Sequence, residues 1–177
     1  RDLSALNRLR PEITGIESLA QQRASSPEEN PSLTFRVSLA PGVDGARRSG
    51  MHDLRLFVDG QLVQRRSSAG LLAEDPEGED ERSWRDRTAV TGASGGDRAY
   101  VDFPGVRLPH RVGAQTVEVA AYAFNEDKVK SVTFTSRVDH PDGSTPRRGR
   151  AVVIGFGVNE FKGALQPLSY AASDAVS

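Results

Sequence analysis

The stretch "SLTFRVSLA" leaves little choice of local structure. Leu33, Phe35, Val37 and Leu39 fall two residues apart. An extended strand puts residues i, i+2 and i+4 on one face, whereas a helix would spread the same four side chains around its axis. The pattern returns in "HDLRLFVDGQLVQRR", with Leu54, Leu56 and Val58 in step and Leu62 beyond Asp59-Gly60. Asp-Gly between two alternating runs is a strong hairpin signal, because a type I′ turn needs positive φ at both central residues. A chain made of half-apolar strands must bury one face of each against a second layer.

Further along, "RAYVDFPGVRLP" runs through Tyr100 with Val101 and Phe103 alternating before Pro104. "QTVEVAAYAFNEDKVKSVTFTSRV" reads as the clearest hairpin. Val117, Val119 and Ala121 climb one strand, Asn125-Glu126-Asp127 turn, and Val132, Phe134, Ser136 and Val138 return. Ile13 and Ile16 in "EITGIESLA" are out of strict step and suit a short edge strand. Between Arg65 and Arg98 the alternation breaks. "AEDPEGEDERSWRDR" reads as a long charged surface insertion carrying the lone Trp84. Strand signals give about six to eight strands over residues 11–139, with helical patterning nearly absent. The expected fold is mainly β, an immunoglobulin-like antiparallel β-sandwich. Its expected core includes Phe35, Phe57, Phe103, Tyr122, Phe124 and Phe134. Residues 1–10, with Leu3, Leu6 and Leu9 spaced by three, read as a linker or short helix ended by Pro11, and residues 140–150, rich in Pro, Gly and charge, as a second linker.

At 177 residues the chain has room for one domain and part of a second. A formal net charge of -1 gives no support to nucleic-acid or membrane-surface binding. No apolar run is long enough to span a bilayer. The absence of cysteine excludes disulfides, thiolate metal sites and a cysteine nucleophile within these residues, and fits a reducing, cytoplasmic compartment. The chain opens on Arg rather than Met, as expected of a piece of a longer protein.

The last 27 residues, "AVVIGFGVNEFKGALQPLSYAASDAVS", change character. Val152, Val153 and Ile154 are apolar at successive positions, as in a strand buried on both faces, and they call for a pairing partner. This stretch resembles the first strand and helix start of the caspase-like (clan CD, metacaspase-type, peptidase C14) cysteine peptidases. The matching residues are Ile154, Gly155, Val158, Asn159, Phe161, Leu168, Tyr170, Ala171, Asp174 and Ala175. "GFG" adds two residues relative to the family's usual "IGVN", and Phe161 replaces its Tyr. "LRLFVDGQLV" and "GAQTVEVAAYAFNEDKVKS" resemble the accessory sandwich that precedes such domains in some bacterial multidomain proteins. The resemblance makes residues 151–177 the N-terminal fragment of a caspase-like α/β domain. The family's catalytic His and Cys lie further along, so it assigns no catalytic residue to this chain.

Direct chemical signals are few. His52, His110 and His140 each sit beside a turn or a proline and read as surface or turn residues without metal-ligand spacing. Glu74, Asp75, Glu77, Glu79, Asp80 and Glu81 supply the oxygens calcium wants, but not in the order of a calcium loop, so a solvated acidic loop is favoured. Gly155-Phe156-Gly157 lacks the third glycine of a dinucleotide turn. Catalytic, cofactor and metal residues are therefore expected to be none. Basic pairs stand at Arg47-Arg48, Arg65-Arg66 and Arg147-Arg148. Many non-animal relatives of caspases cut after Arg or Lys. The resemblance therefore makes Arg147, Arg148 and Arg150 candidate processing sites, with Arg82, Arg85 and Arg87 as similar ones in the insertion.

The expected function is a non-catalytic regulatory or interaction module before a caspase-like peptidase domain. Its expected partners are the remainder of that domain or a complementary chain, and a protein bound through a sandwich edge. The alternative is one fragment of a processed, active Arg/Lys-directed endopeptidase, supplying its first strand to a complementary chain.

Overall fold

The computed structural model describes residues 6–22, 32–91, 98–108 and 116–140. Their elements are β1 (Glu12–Gln22), β2 (Ser32–Ala40), β3 (Val43–Asp44), β4 (Arg47–Arg48), β5 (His52–Val58), β6 (Gln61–Ser67), β7 (Gly70–Leu71), α1 (Glu81–Thr88), β8 (Ala99–Arg107), β9 (Thr116–Phe124) and β10 (Phe134–Asp139). Every pairing is antiparallel. One sheet has the order β1-β2-β8, a second β10-β9-β5-β6-β7, and β3-β4 form a small ribbon.

The two larger sheets share one core, as a β-sandwich requires. Leu33, Phe35, Val37 and Leu39 of β2 and Ala99, Val101, Phe103 and Val106 of β8 meet Leu54, Leu56 and Val58 of β5 and Val117, Val119, Ala121 and Ala123 of β9. β2 alternates between buried and half-buried along its whole length, as its sequence demands. The Asp59-Gly60 hairpin forms between β5 and β6, and both residues have positive φ, at 47° and 80°.

β1 explains why Ile13 and Ile16 are out of step. Its register against β2 slips between Ile13 and Gly15, so Ile13 faces Leu39 and Ile16 faces Val37. One extra residue in a bulge therefore returns both isoleucines to the core side. β8 runs on past Pro104 because it is the edge of its sheet, where a missing N–H costs no ladder bond. Residues 7–11 are irregular rather than helical. They pass against Gly42, where any Cβ would collide with the Arg10 carbonyl.

Two expectations change. The charged insertion is largely ordered: β6 extends to Ser67, β7 follows, and "ERSWRDRT" forms α1. Asp80 caps this helix by accepting from the backbone N–H groups of Arg82 and Ser83 at 2.9 and 3.0 Å. The expected aromatic core also divides. Phe35 and Phe103 are fully buried and Phe134 packs partly against the core, while Phe57, Tyr122 and Phe124 lie on the outer face of the five-stranded sheet. Each of those three is one residue out of phase with the buried series on its own strand. Val132 is exposed and precedes β10 rather than belonging to it.

Phe103→Ala removes a fully buried ring from the core between the two sheets and is expected to cost about 3–5 kcal/mol. Tyr100→Ala, on the exposed side of the same strand, is expected to cost less than about 1 kcal/mol. Urea unfolding of the two variants measures the difference.

Candidate functional site

The turn Asn125-Glu126-Asp127 gathers four parts of the chain. Asn125 is fully buried, and all of its amide is used. Nδ2 donates to the carbonyls of Asn7 and Leu9 at 2.5 and 2.8 Å, while Oδ1 accepts from the N–H groups of Asp127 and Val129 at 2.9 and 2.8 Å. Glu126 takes the Asn7 side chain at 2.6 Å and the Gly50 N–H at 2.5 Å. Arg85 of α1 donates to the Glu126 carbonyl and the Asp127 carboxylate, both at 2.8 Å. The segment before β1, the approach to β5 and the helix are thus fastened to one turn.

Beside this turn lies His52, which is buried and is not the surface residue its neighbours in sequence suggest. Its ring stacks on Trp84 at 5.3 Å, and its Nδ1 lies 3.3 Å from Thr88 Oγ1. Thr88 gives its own proton to the Trp84 carbonyl at 2.6 Å. Trp84 is buried, with Lys128 Nζ 4.8 Å from its ring centre. Burial pushes His52 below its ordinary value, against the pull of Glu126 and of the Arg85 backbone, while Arg85's charge also lowers it. His140 is buried at the end of β10. His110 lies outside the described residues.

The acidic loop is neutralised by its own chain. A register shift after His52, with Asp53 at φ 44°, lets three successive residues of β5 be buried. Asp53 then takes Arg55 at 2.6 Å and Arg65 at 2.9 Å. Arg65 continues to Asp75 at 2.7 Å, and Arg87 joins Asp75 at 2.9 Å and Glu79 at 2.6 Å. Burial raises the Asp75 carboxyl, but its bonds to Arg65 and Arg87 outweigh that and hold it below the usual carboxylate range. The Arg87 hydrogen bond does the same for Glu79. Among the described residues no group of three His, Cys, Asp or Glu is placed to hold a metal. Arg85 and Arg87, read as cleavable, are tied up on the helix. Arg147, Arg148 and Arg150, and the peptidase-like residues from Ala151 onward, lie outside the described residues.

The outer face of the five-stranded sheet carries the arrangement least expected of a solvent-facing surface. Phe57 and Tyr122 stack at 5.1 Å, and Phe124 meets Tyr122 edge-on at 5.5 Å. Arg55 lies 5.0 Å from the Phe124 ring centre and Lys130 Nζ 4.2 Å from that of Tyr122. Cations over aromatic faces gain from the ring quadrupole and hold the rings in place. The cluster presents three aromatic rings and two cations on one face of the sheet. Comparison with protein-family models, curated proteins and solved structures finds no match to this chain.

Two outcomes follow. Asn125→Ala leaves two carbonyls and two N–H groups without their partner and is expected to cost on the order of 3 kcal/mol; denaturant unfolding reads it. The pH effect follows from the direction of the His52 shift. With a lowered folded value, the unfolded chain takes up the proton first, so stability is full above about 6.5 and declines as pH falls below it, down to the folded value. Unfolding midpoints between pH 7.5 and 5 should fall in the wild type and fall less in His52→Gln.

Proposed function

We propose that this chain is a non-catalytic interaction module that precedes a caspase-like cysteine peptidase domain, with the catalytic His and Cys outside the chain. The observation that carries the interaction role is the outer-face cluster of Phe57, Tyr122 and Phe124 with Arg55 and Lys130. Aromatic residues and arginine are enriched at the energetic centres of protein interfaces. Arg55 is already paired with Asp53, so Lys130 is the cation that favours a partner surface presenting carboxylates.

The strand order supports the immunoglobulin-like type. Labelled A, B, C, C′, E, F and G in chain order, the seven long strands make sheets A-B-E and G-F-C-C′. The peptidase context rests on the resemblance of residues 151–177, and Arg147, Arg148 and Arg150 are the processing sites it suggests. A cytoplasmic setting belongs to the same reading.

The test uses the protein expressed from its complete reading frame. It should cleave Arg or Lys substrates, and incubation should create new N-termini after Arg147, Arg148 or Arg150. Tyr122→Ala with Lys130→Glu should change the turnover rate or partner affinity at least fivefold with the fold intact by circular dichroism. Equal activity and binding in wild type and variant would remove the interaction role, and a complete protein lacking a His and Cys pair would remove the peptidase.

A further inference from the structure

A second feature lies on another side of the sandwich, where β6 of one sheet approaches β8 of the other. Gln64 bridges the seam by donating from Nε2 to the Pro104 carbonyl at 2.9 Å. Two residues on, Arg66 stands opposite the core residue Leu54 in the β5-β6 register, so its stem points toward the seam rather than to open solvent. Its Nε is buried and has no hydrogen-bond partner. A cleft of about 350 Å³ opens at this point, with Arg66, Ser68, Thr91, Tyr100 and Asp102 among its walls.

The composition of the cleft is selective. Asp102 is the carboxylate nearest to hand, yet both of its oxygens are taken by Arg36, at 2.7 and 2.8 Å. That fork holds the Asp102 carboxyl below its usual range, with a smaller contribution from the Arg66 charge. The Arg36 fork offsets the Asp102 charge; Arg36, Arg66 and Asp102 together leave one positive charge, with Glu17 standing opposite Arg36 on the far side, in β1. The other polar groups are hydroxyls. Ser68 and Thr91 are locked together: Ser68 Oγ accepts from the Thr91 N–H at 2.7 Å and from the Thr91 hydroxyl at 3.2 Å, and donates to the Thr91 carbonyl in a long bond of 3.2 Å. Tyr100 stands on the exposed face of β8. Hydroxyl protons rotate to suit a ligand. A guanidinium and three hydroxyls on three separate segments can donate to more oxygens than a planar carboxylate offers, which suits a tetrahedral oxyanion better.

We infer that the cleft between β6 and β8 binds a phosphate-type oxyanion, with Arg66 as its charged donor and Ser68, Thr91 and Tyr100 as hydroxyl donors. The volume exceeds that of one phosphate group, so the anion arrives on a small molecule or on a phosphorylated side chain. The site is distinct from the aromatic outer face and does not depend on the peptidase reading.

The test is an amide-resolved NMR titration of the full chain with inorganic phosphate, O-phosphoserine, a phosphoserine peptide and acetate. Phosphate should shift the amides of residues 66–68, 91 and 100–102 with saturation in the millimolar range, and acetate should be at least tenfold weaker. A phosphopeptide that binds tenfold tighter than free phosphoserine assigns the anion to a phosphorylated protein, and equal binding assigns it to a small molecule. Arg66→Ala should abolish the shifts and Arg66→Lys should restore part of the affinity. Should Arg66→Ala fail to fold, Tyr100→Phe, on the exposed face, should still weaken binding at least threefold. Absence of shifts at these residues in about 50 mM phosphate, well above a dissociation constant of a few millimolar, equal binding of acetate, or affinity unchanged in both Arg66→Ala and Tyr100→Phe overturns the inference.

Discussion

The Asn125 side chain sits where the sandwich would otherwise come apart into strands and loose ends. Its amide donates to the chain before β1 and accepts from the turn that follows β9. Each of those backbone groups lies at the end of a sheet, where no ladder partner exists. A fully buried amide that meets four of them replaces water at a place water does not reach. Glu126 and Asp127 extend the same junction to Gly50 and to α1, so the ordered helix depends on a turn far away in sequence.

The charge of the insertion follows the same logic. A run of carboxylates in isolation repels itself and stays solvated. Here the run is interleaved with arginines that reach back to β5 and β6. Asp53 is buried at the centre of that network because Arg55 and Arg65 both face it. Removing a carboxylate from water is unfavourable by itself and is offset only where paired hydrogen bonds meet it. Asp75 and Glu79, which as a sequence resemble ligands awaiting a cation, already have theirs in Arg65 and Arg87.

The molecule separates packing from recognition by using the two faces of its strands. Val117, Val119, Ala121 and Ala123 hold β9 to the core, which obliges Tyr122 and Phe124 to point out. Tyr122 then stacks with Phe57 across the β5-β9 pairing, and Phe124 meets Tyr122 edge-on. The Arg66 cleft lies on a different edge, at the seam between sheets. A protein surface and a small anion would therefore meet separate parts of the molecule.

The positions of β2, β5, β8 and β9, the inward face of β2, the Asp59-Gly60 hairpin and the β-sandwich class were legible in the residues, because period-two alternation and turn chemistry act over a few neighbours. The outward direction of Phe57, Tyr122 and Phe124 was legible as well: each is out of phase with the buried series on its own strand, although aromatic character alone suggests a core. Other features required distant partners. His52 and Trp84 are buried only because α1 folds onto the end of β5, and α1 forms in a charged stretch only because its arginines find carboxylates on other segments. Ile13 and Ile16 share a face only through a bulge set by β2. Arg66 becomes a candidate ligand because Arg36, thirty positions earlier, pairs with the Asp102 carboxylate beside it. Local periodicity is written in adjacent residues, whereas the pairing of buried charge depends on which segments the fold brings together.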